Sequence, residues 1–339
     1  MTRPGSKISF NRILVIRFSS LGDIVLTTPV LSALRENFPD AQIDFLLKEP
    51  YTSLLANHQS KCNTVMLPDS VRENDMDFYR FSKELAEKEY DFIIDLQANF
   101  RSLVVSRAIG APVSKVDKNT LRRLALVKFK IGHDLYPDVK RKFFDTLSRI
   151  GIRGNIPPTN LHLIEDEIDK ARTKFLGSLS PERKVIAIHP GSKWELKEWG
   201  RKKFRNLAKK LDELGFNVVY FESKIKLGSS NIVEVRDTSL RELMAILSIC
   251  DVFVGNDSGP LHISGALGTP VVGVFGPTHS SLGYAPRNDK AIVVESDLNC
   301  RPCTLYGKGK CKFTTQKCME NISVEKVLRA IIKLVEYER

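Results

Sequence analysis

Ile13-Leu14-Val15-Ile16-Arg17-Phe18-Ser19-Ser20-Leu21-Gly22-Asp23-Ile24 reads as a strand, a tight turn and the start of a helix. Four consecutive apolar residues suit a strand buried on both faces. Ser20 and Gly22 allow a turn whose backbone N–H groups face outward. Such a turn lies at the C-terminal edge of a parallel sheet, where open α/β folds bind their ligands. Outward from it the chain alternates strand-like and helix-like stretches, the pattern of βαβ units. Strands are expected at 13–17, 43–47, 64–67 and 92–96, and helices at 22–38, 77–88, 101–109 and 140–150. Gly151-Ile152-Arg153-Gly154-Asn155-Ile156-Pro157-Pro158 cannot continue a helix and reads as the approach to a linker. The alternation then restarts. Strands are expected at 185–189, 218–221, 232–235, 252–255 and 271–275, and helices at 200–215, 240–248, 260–267 and 323–337. Two α/β domains follow, 1–160 and 161–339, which also suits the length.

Composition narrows the function. A chain that is 42% hydrophobic and 27% charged is an ordinary globular protein. No apolar run approaches the roughly 18 residues of a membrane-spanning helix. The run 13–16 is too short for a signal-peptide core, so the expected compartment is the cytosol. The formal net charge is +12, and half of it sits in residues 115–142. That segment holds nine Lys or Arg and three acids, Asp117, Asp134 and Asp138. A concentrated basic excess points to nucleic acid, an anionic membrane surface or a phosphorylated substrate. An aromatic content of 8% without an RNA- or DNA-binding module places nucleic acid last.

Three strand-to-helix junctions carry candidate chemistry. In the first, Asp23 falls in the first helical turn, as a ligand-facing carboxylate or as an acid that favours the helix dipole. The second is His189-Pro190-Gly191-Ser192-Lys193-Trp194-Glu195-Leu196-Lys197-Glu198-Trp199. Its small-residue turn, with a hydroxyl at Ser192 and a cation at Lys197, can hold a diphosphate. The third is Gly255-Asn256-Asp257-Ser258-Gly259-Pro260-Leu261-His262. Pro260 suits a first helical turn and Asp257 or Ser258 its cap, so the helix end presents N–H groups to an anion. His262 is either part of that loop or a core histidine.

These junctions, in this order, resemble the ADP-heptose:lipopolysaccharide heptosyltransferases. The matching blocks are Ser19 to Pro29, Asp95-Leu96-Gln97 with Arg101-Ser102, His189-Pro190-Gly191 with Lys197-Glu198-Trp199, and Asn256 to His262 with Phe275-Gly276-Pro277-Thr278. The resemblance runs from about Ile13 to Val327. It implies a GT-B architecture, two Rossmann-like domains whose parallel sheets face a central cleft, with the last helix packing back on the N-terminal domain. It implies an inverting glycosyltransferase that moves heptose from ADP-heptose to the lipopolysaccharide inner core without a catalytic cofactor. Asp23 is then the general base. Gly191, Ser192, Lys197, Asp257, Ser258, Gly259 and His262 bind the donor, and Glu222 takes the ribose. The chain runs short of the family pattern between Glu222 and Ile232. Ser20, Gly22 and Arg101, with Arg122, Arg123 and Lys128 of the basic segment, bind a phosphorylated, lipid-linked oligosaccharide acceptor. Leu121, Leu124, Leu126 and Phe129 alternate with those cations, as in a helix resting on the inner leaflet or one packed against a core. Another GT-B-like enzyme, such as a sugar-nucleotide epimerase, would share the donor motifs.

Cys300, Cys303, Cys311 and Cys318 form a C-x2-C-x7-C-x6-C series. The first pair has zinc-knuckle spacing, so the quartet reads as a structural zinc site or as reduced thiols, with nearby lysines favouring thiolates. Two other signals carry less. Asp75-Met76-Asp77 matches a metal-binding D-x-D, but Asp77 makes a sensible helix cap there. Glu165-Asp166-Glu167 opens a helix and complements its dipole.

Overall fold

Runs such as Phe92-Ile93-Ile94 and Val252-Phe253-Val254 have no polar face, so each strand needs cover on both sides. The computed structural model, which describes residues 9–130, 138–222 and 227–337, supplies it with helices around two all-parallel sheets. Asp134 lies outside the described residues, as do 223–226, part of the stretch where the chain runs short of the family pattern. The first sheet contains β1 (Arg12–Ile16), β2 (Gln42–Lys48), β3 (Asn63–Leu67), β4 (Phe92–Asp95) and β5 (Val113–Lys115), in the order β3-β2-β1-β4-β5. The second contains β6 (Val185–His189), β7 (Asn217–Phe221), β8 (Ile232–Val235), β9 (Val252–Asn256), β10 (Val271–Phe275) and β11 (Ala291–Glu295), in the order β11-β10-β9-β6-β7-β8. Each sheet reverses its strand order beside its first strand, between β1 and β4 and between β6 and β9. Those reversals are where open α/β sheets leave a crevice.

The chain divides into a first unit, residues 1–118 and 139–162, and a second, residues 119–138 and 163–339. The second unit therefore claims a stretch from the middle of the basic segment. Its helix Thr120–Phe129 buries Leu126 against Leu282. The last helix, Val324–Tyr337, likewise belongs to the second unit. Val327, Ile331 and Leu334 lie in one core with Phe204, Val254 and Val274, so this helix packs on the second unit's own sheet.

Local chemistry moves several boundaries. The expected helix over 22–38 is two helices, Leu21–Leu26 and Thr28–Asn37. Pro29 has no N–H to continue the first helix and starts the second. Helix Asp75–Ala86 is capped by Asn74, whose side chain accepts from the N–H groups of Met76 (2.9 Å) and Asp77 (3.4 Å). The cap is thus Asn74, and Asp77 is a first-turn acid.

Candidate functional site

At the β1 end, Ser20 precedes the helix Leu21–Leu26 and Asp23 sits in its first turn. One oxygen of Asp23, Oδ2, accepts from the Ser20 N–H (3.1 Å), the Ser20 hydroxyl (2.7 Å) and the Arg17 guanidinium (2.8 Å). Its other oxygen, Oδ1, is buried without a hydrogen-bond partner. Burial pushes this carboxyl upward, but the Arg17 charge and the Ser20 bonds outweigh it and hold it below the usual carboxylate value. Arg17 is itself fixed: it donates to the Leu96 carbonyl (2.6 Å) and lies over the Phe143 ring. Across the strand reversal, Asp95 accepts from the N–H groups of Gln97 (3.0 Å) and Ala98 (2.7 Å) and from the Ser102 hydroxyl (2.8 Å). Asp95 thus shapes its turn, and Gln97 reaches back to the Phe18 N–H (3.1 Å). Arg101 donates to the Arg72 carbonyl (2.9 Å) and lies over Phe78.

In the second unit, the loops after β6 and β9 are stitched together by a residue whose role the sequence reading missed. Asn256 is fully buried; its Nδ2 donates to the Pro190 carbonyl (2.7 Å) and its Oδ1 accepts from the Trp199 N–H (2.9 Å). Trp199 is buried and donates its indole N–H to the Ile322 carbonyl (2.9 Å), so the tryptophan of this motif is a packing element. Lys197 meets Asp257 at 2.6 Å, and Asp257 also accepts from the Thr278 hydroxyl (2.8 Å). Burial raises the Asp257 carboxyl, while Lys197, His262 and Thr278 together hold it below its usual value. Gly307 lies on the Lys197 stem at a φ of +83°, and a Cβ there would come within 2.7 Å of Lys197 Cγ. The Ser192 N–H donates to Glu198 (3.1 Å), which holds the turn after Gly191.

Ser258 precedes the helix Gly259–Ala266, and its hydroxyl is buried without a partner. His189 Nδ1 at the β6 end and Glu222 Oε2 just past β7 are also buried and unpartnered. Burial lowers the basicity of the His189 ring. The other Glu222 oxygen is taken by Arg201, with Arg205 at 3.7 Å. Three unsatisfied polar atoms thus lie at the ends of the adjacent strands β9, β6 and β7. Unsatisfied buried polar groups are costly, and a ligand that fills them recovers that cost. Arg301 was also missed. Buried, it donates to the carbonyls of Gly276, Ser296 and Thr278 and pairs with Glu295 (2.7 Å), fixing the loop after β10 that carries Thr278.

One expectation needs correction. Arg123 was expected to face an acceptor, but it is buried: its guanidinium lies over the Tyr306 and Tyr284 rings and donates to the Tyr306 hydroxyl (3.3 Å). Arg122 and Lys128 are exposed on the same helix. The cysteines were expected to be a zinc site or reduced thiols. Among the described residues no three His, Cys, Asp or Glu are placed to hold one ion. Cys318 is in the second unit's core, and Cys303 and Cys311 face the carbonyls of Pro277 and Thr315. Nor are thiolates favoured at Cys303 and Cys318, because burial pushes both thiols up.

Comparison with known proteins agrees with these motifs. The model of glycosyltransferase family 9 (heptosyltransferase) matches residues 78–312, more than half of the chain. Lipopolysaccharide heptosyltransferase 1 of Campylobacter coli is 28% identical over 346 residues, spanning 95% of this chain and 98% of that protein. Lipooligosaccharide heptosyltransferase 2 of Campylobacter jejuni is 26% identical, spanning 93% and 96%. Among solved structures, a family 9 glycosyltransferase from Veillonella parvula superposes with a TM-score of 0.80 at 21% identity, covering 98% of this chain and 100% of the other. The Escherichia coli ADP-heptose heptosyltransferase II superposes with a TM-score of 0.74 at 21% identity, covering 96% and 99%. These likenesses bear out the expected α/β, GT-B fold class. The chain belongs to glycosyltransferase family 9, the heptosyltransferases, and is a glycosyltransferase.

Proposed function

We propose that this enzyme moves a heptosyl residue from ADP-heptose to a hydroxyl of a lipopolysaccharide core acceptor. The observation that carries the donor site is the set of unsatisfied polar atoms on His189, Glu222 and Ser258, beside the Lys197–Asp257 pair. The relatives' names, which specify lipopolysaccharide or lipooligosaccharide, support the acceptor class. In this reading the diphosphate lies over Gly191, Ser192 and the N-terminus of helix Gly259–Ala266, with its charge met by Lys197 and the helix N–H groups. Asp257 and His262 fix Lys197 and the loop. Glu222 Oε2 accepts a ribose hydroxyl.

The first unit supplies the base. The acceptor hydroxyl attacks the anomeric carbon and gives its proton to Asp23. The bond from that carbon to the diphosphate oxygen breaks, its electron pair leaves with ADP, and the configuration inverts. Asp23 is ionised at neutral pH and has one oxygen uncommitted, which suits it to this role. Its low basicity is offset by placement, because a base in hydrogen-bond reach needs little thermodynamic drive once bond formation acidifies the hydroxyl. Lys197 and the helix N-terminus take the charge for which other transferases use a divalent ion, so EDTA is expected to leave turnover unchanged. The work is done on the cytoplasmic side, where the donor is available, on an acceptor held at the membrane.

A panel of ADP- and UDP-sugars assayed with defined core acceptors, with and without EDTA, tests this. The expected result is ADP-heptose consumption that depends on the acceptor and survives chelation. Consumption without an acceptor would favour an epimerase or hydrolase. Loss with EDTA and recovery with Mg²⁺ would establish a metal-assisted route instead.

A further inference from the structure

Helix Thr120–Phe129 spends little of its apolar surface on its own unit. At about 100° per residue, Arg123 and Leu126 point to one side. They are the helix's buried residues, held by Tyr306, Tyr284 and Leu282. Thr120, Leu121, Arg122, Leu124, Lys128 and Phe129 are exposed and share the remaining arc of roughly 200°. Leu121 is 83% exposed, the most of any large apolar side chain among the described residues, and Phe129 is 69% exposed. A globular helix ordinarily turns such residues inward. Here the buried side holds an arginine and the outward side holds Leu121, Leu124 and Phe129, with Lys128 among them and Arg122 at the edge.

This anchoring has a physical cause. The Arg123 guanidinium sits against two aromatic rings, and Lys130 at the helix end donates to the carbonyls of Val127 (2.8 Å), Cys300 (2.9 Å) and Pro302. The inner side is therefore fixed by contacts that leave the apolar residues outside. The helix contains no acid: Arg122, Arg123 and Lys128 are its only charged residues. An outward face of one leucine, one phenylalanine, a half-exposed leucine and two flanking cations is complementary to an anionic bilayer surface. The rings and branched chains enter the headgroup boundary while the cations stay at phosphate level.

We infer that the outward face of helix Thr120–Phe129 docks the enzyme on an anionic lipid surface. The contact is shallow and reversible, since ten residues bury only a few apolar side chains. Arg122 and Lys128 then contact lipid phosphates in general rather than one acceptor. This stands on the helix alone and is independent of which sugar is transferred.

The test is co-sedimentation of the full-length chain with vesicles of phosphatidylcholine alone or of phosphatidylcholine with phosphatidylglycerol. Wild type should bind the anionic vesicles and release with salt. The double variant Leu121→Ser/Phe129→Ser should bind at least about tenfold more weakly, as expected for losing two inserted apolar groups. Its ADP affinity and its turnover of a lipid-free core acceptor should match wild type, which separates lost docking from lost folding or catalysis. Equal vesicle binding by variant and wild type would overturn the inference, as would wild type failing to bind. Concentration-dependent self-association of wild type that the double variant abolishes would also overturn it, assigning the face to a second copy. If ADP-heptose proved not to be the donor, the vesicle result would stand unchanged.

Discussion

Each unit holds a carboxylate–cation pair at the C-terminal ends of its strands, Asp23–Arg17 within the turn after β1 and Asp257–Lys197 bridging the loops after β9 and β6. Their contacts are 2.8 and 2.6 Å. Both carboxylates are pushed up by burial and held below the usual value by their cation. They differ in what remains uncommitted. Asp23 directs all its named bonds to one oxygen and leaves the other buried and open. Asp257 uses its side chain and its backbone carbonyl to position Lys197, whose stem is further confined by Gly307. One pair presents an acceptor atom to chemistry; the other presents a cation. Similar electrostatics at the strand ends of two sheets can therefore serve proton transfer in one unit and phosphate binding in the other.

The largest effect expected from breaking this division is at Asp23. Asp23→Asn keeps the shape and the bonds from Ser20 but loses basicity. kcat should fall about 10²–10⁴-fold with ADP affinity nearly unchanged. Near-normal kcat would reduce Asp23 to a helix-end acid. Next is Lys197→Ala, which removes a charge-assisted phosphate contact and should weaken donor use by about 1.5–3 kcal/mol. Lys193→Ala, at an exposed position beside the Trp194 ring, should change it little. Thermal melts must accompany the measurement, because Asp257 loses its partner in the first variant. Equal losses from both would contradict the assignment.

A subtler effect concerns pH. Arg17 depresses the Asp23 carboxyl, so the pair stabilises the fold above the ordinary carboxylate value of 3.8 and loses that contribution as pH falls through the lowered folded value. In wild type the acid limb of kcat should lie below that ordinary value. Arg17→Gln removes the depressing charge while burial remains, so the limb should move to higher pH. A limb that stays in place would mean another group controls it. The smallest effect is at Gly307. Ala there is strained by the positive φ and crowds the Lys197 stem, and should weaken ADP binding by about 1 kcal/mol. Unchanged affinity would show that Lys197 needs no support from this loop.

The sequence exposes these junctions because each is local. A run of apolar residues, a small-residue turn and a helix start lie within about a dozen positions, as at 13–24, and periodicity alone reads them. The edge strands β5 and β11 were not read, although β3 and β8, edge strands of four or five residues, were. The partners inside the site are non-local. Nothing near Lys197 announces Asp257, sixty residues on. Nothing around Arg301 shows that it will bind the loop carrying Thr278. Arg123 is instructive in the other direction: a count of cations cannot tell which one will find two tyrosines more than 150 residues away. The cysteine spacing matched a metal knuckle, and spacing along the chain alone does not say what the thiols hold. Cys318 lies in the apolar core, with Cys300 and Cys303 near enough to help push its thiol up.

The most direct test of the central claim is the product itself. Wild type, ADP-heptose and a defined core acceptor should yield an acceptor heavier by one heptosyl unit and an equal amount of ADP, with opposite anomeric configuration from the donor. Asp23→Asn should bind ADP normally and form almost none of this product. Release of ADP without gain by the acceptor, retained configuration, or full product from Asp23→Asn would contradict the account.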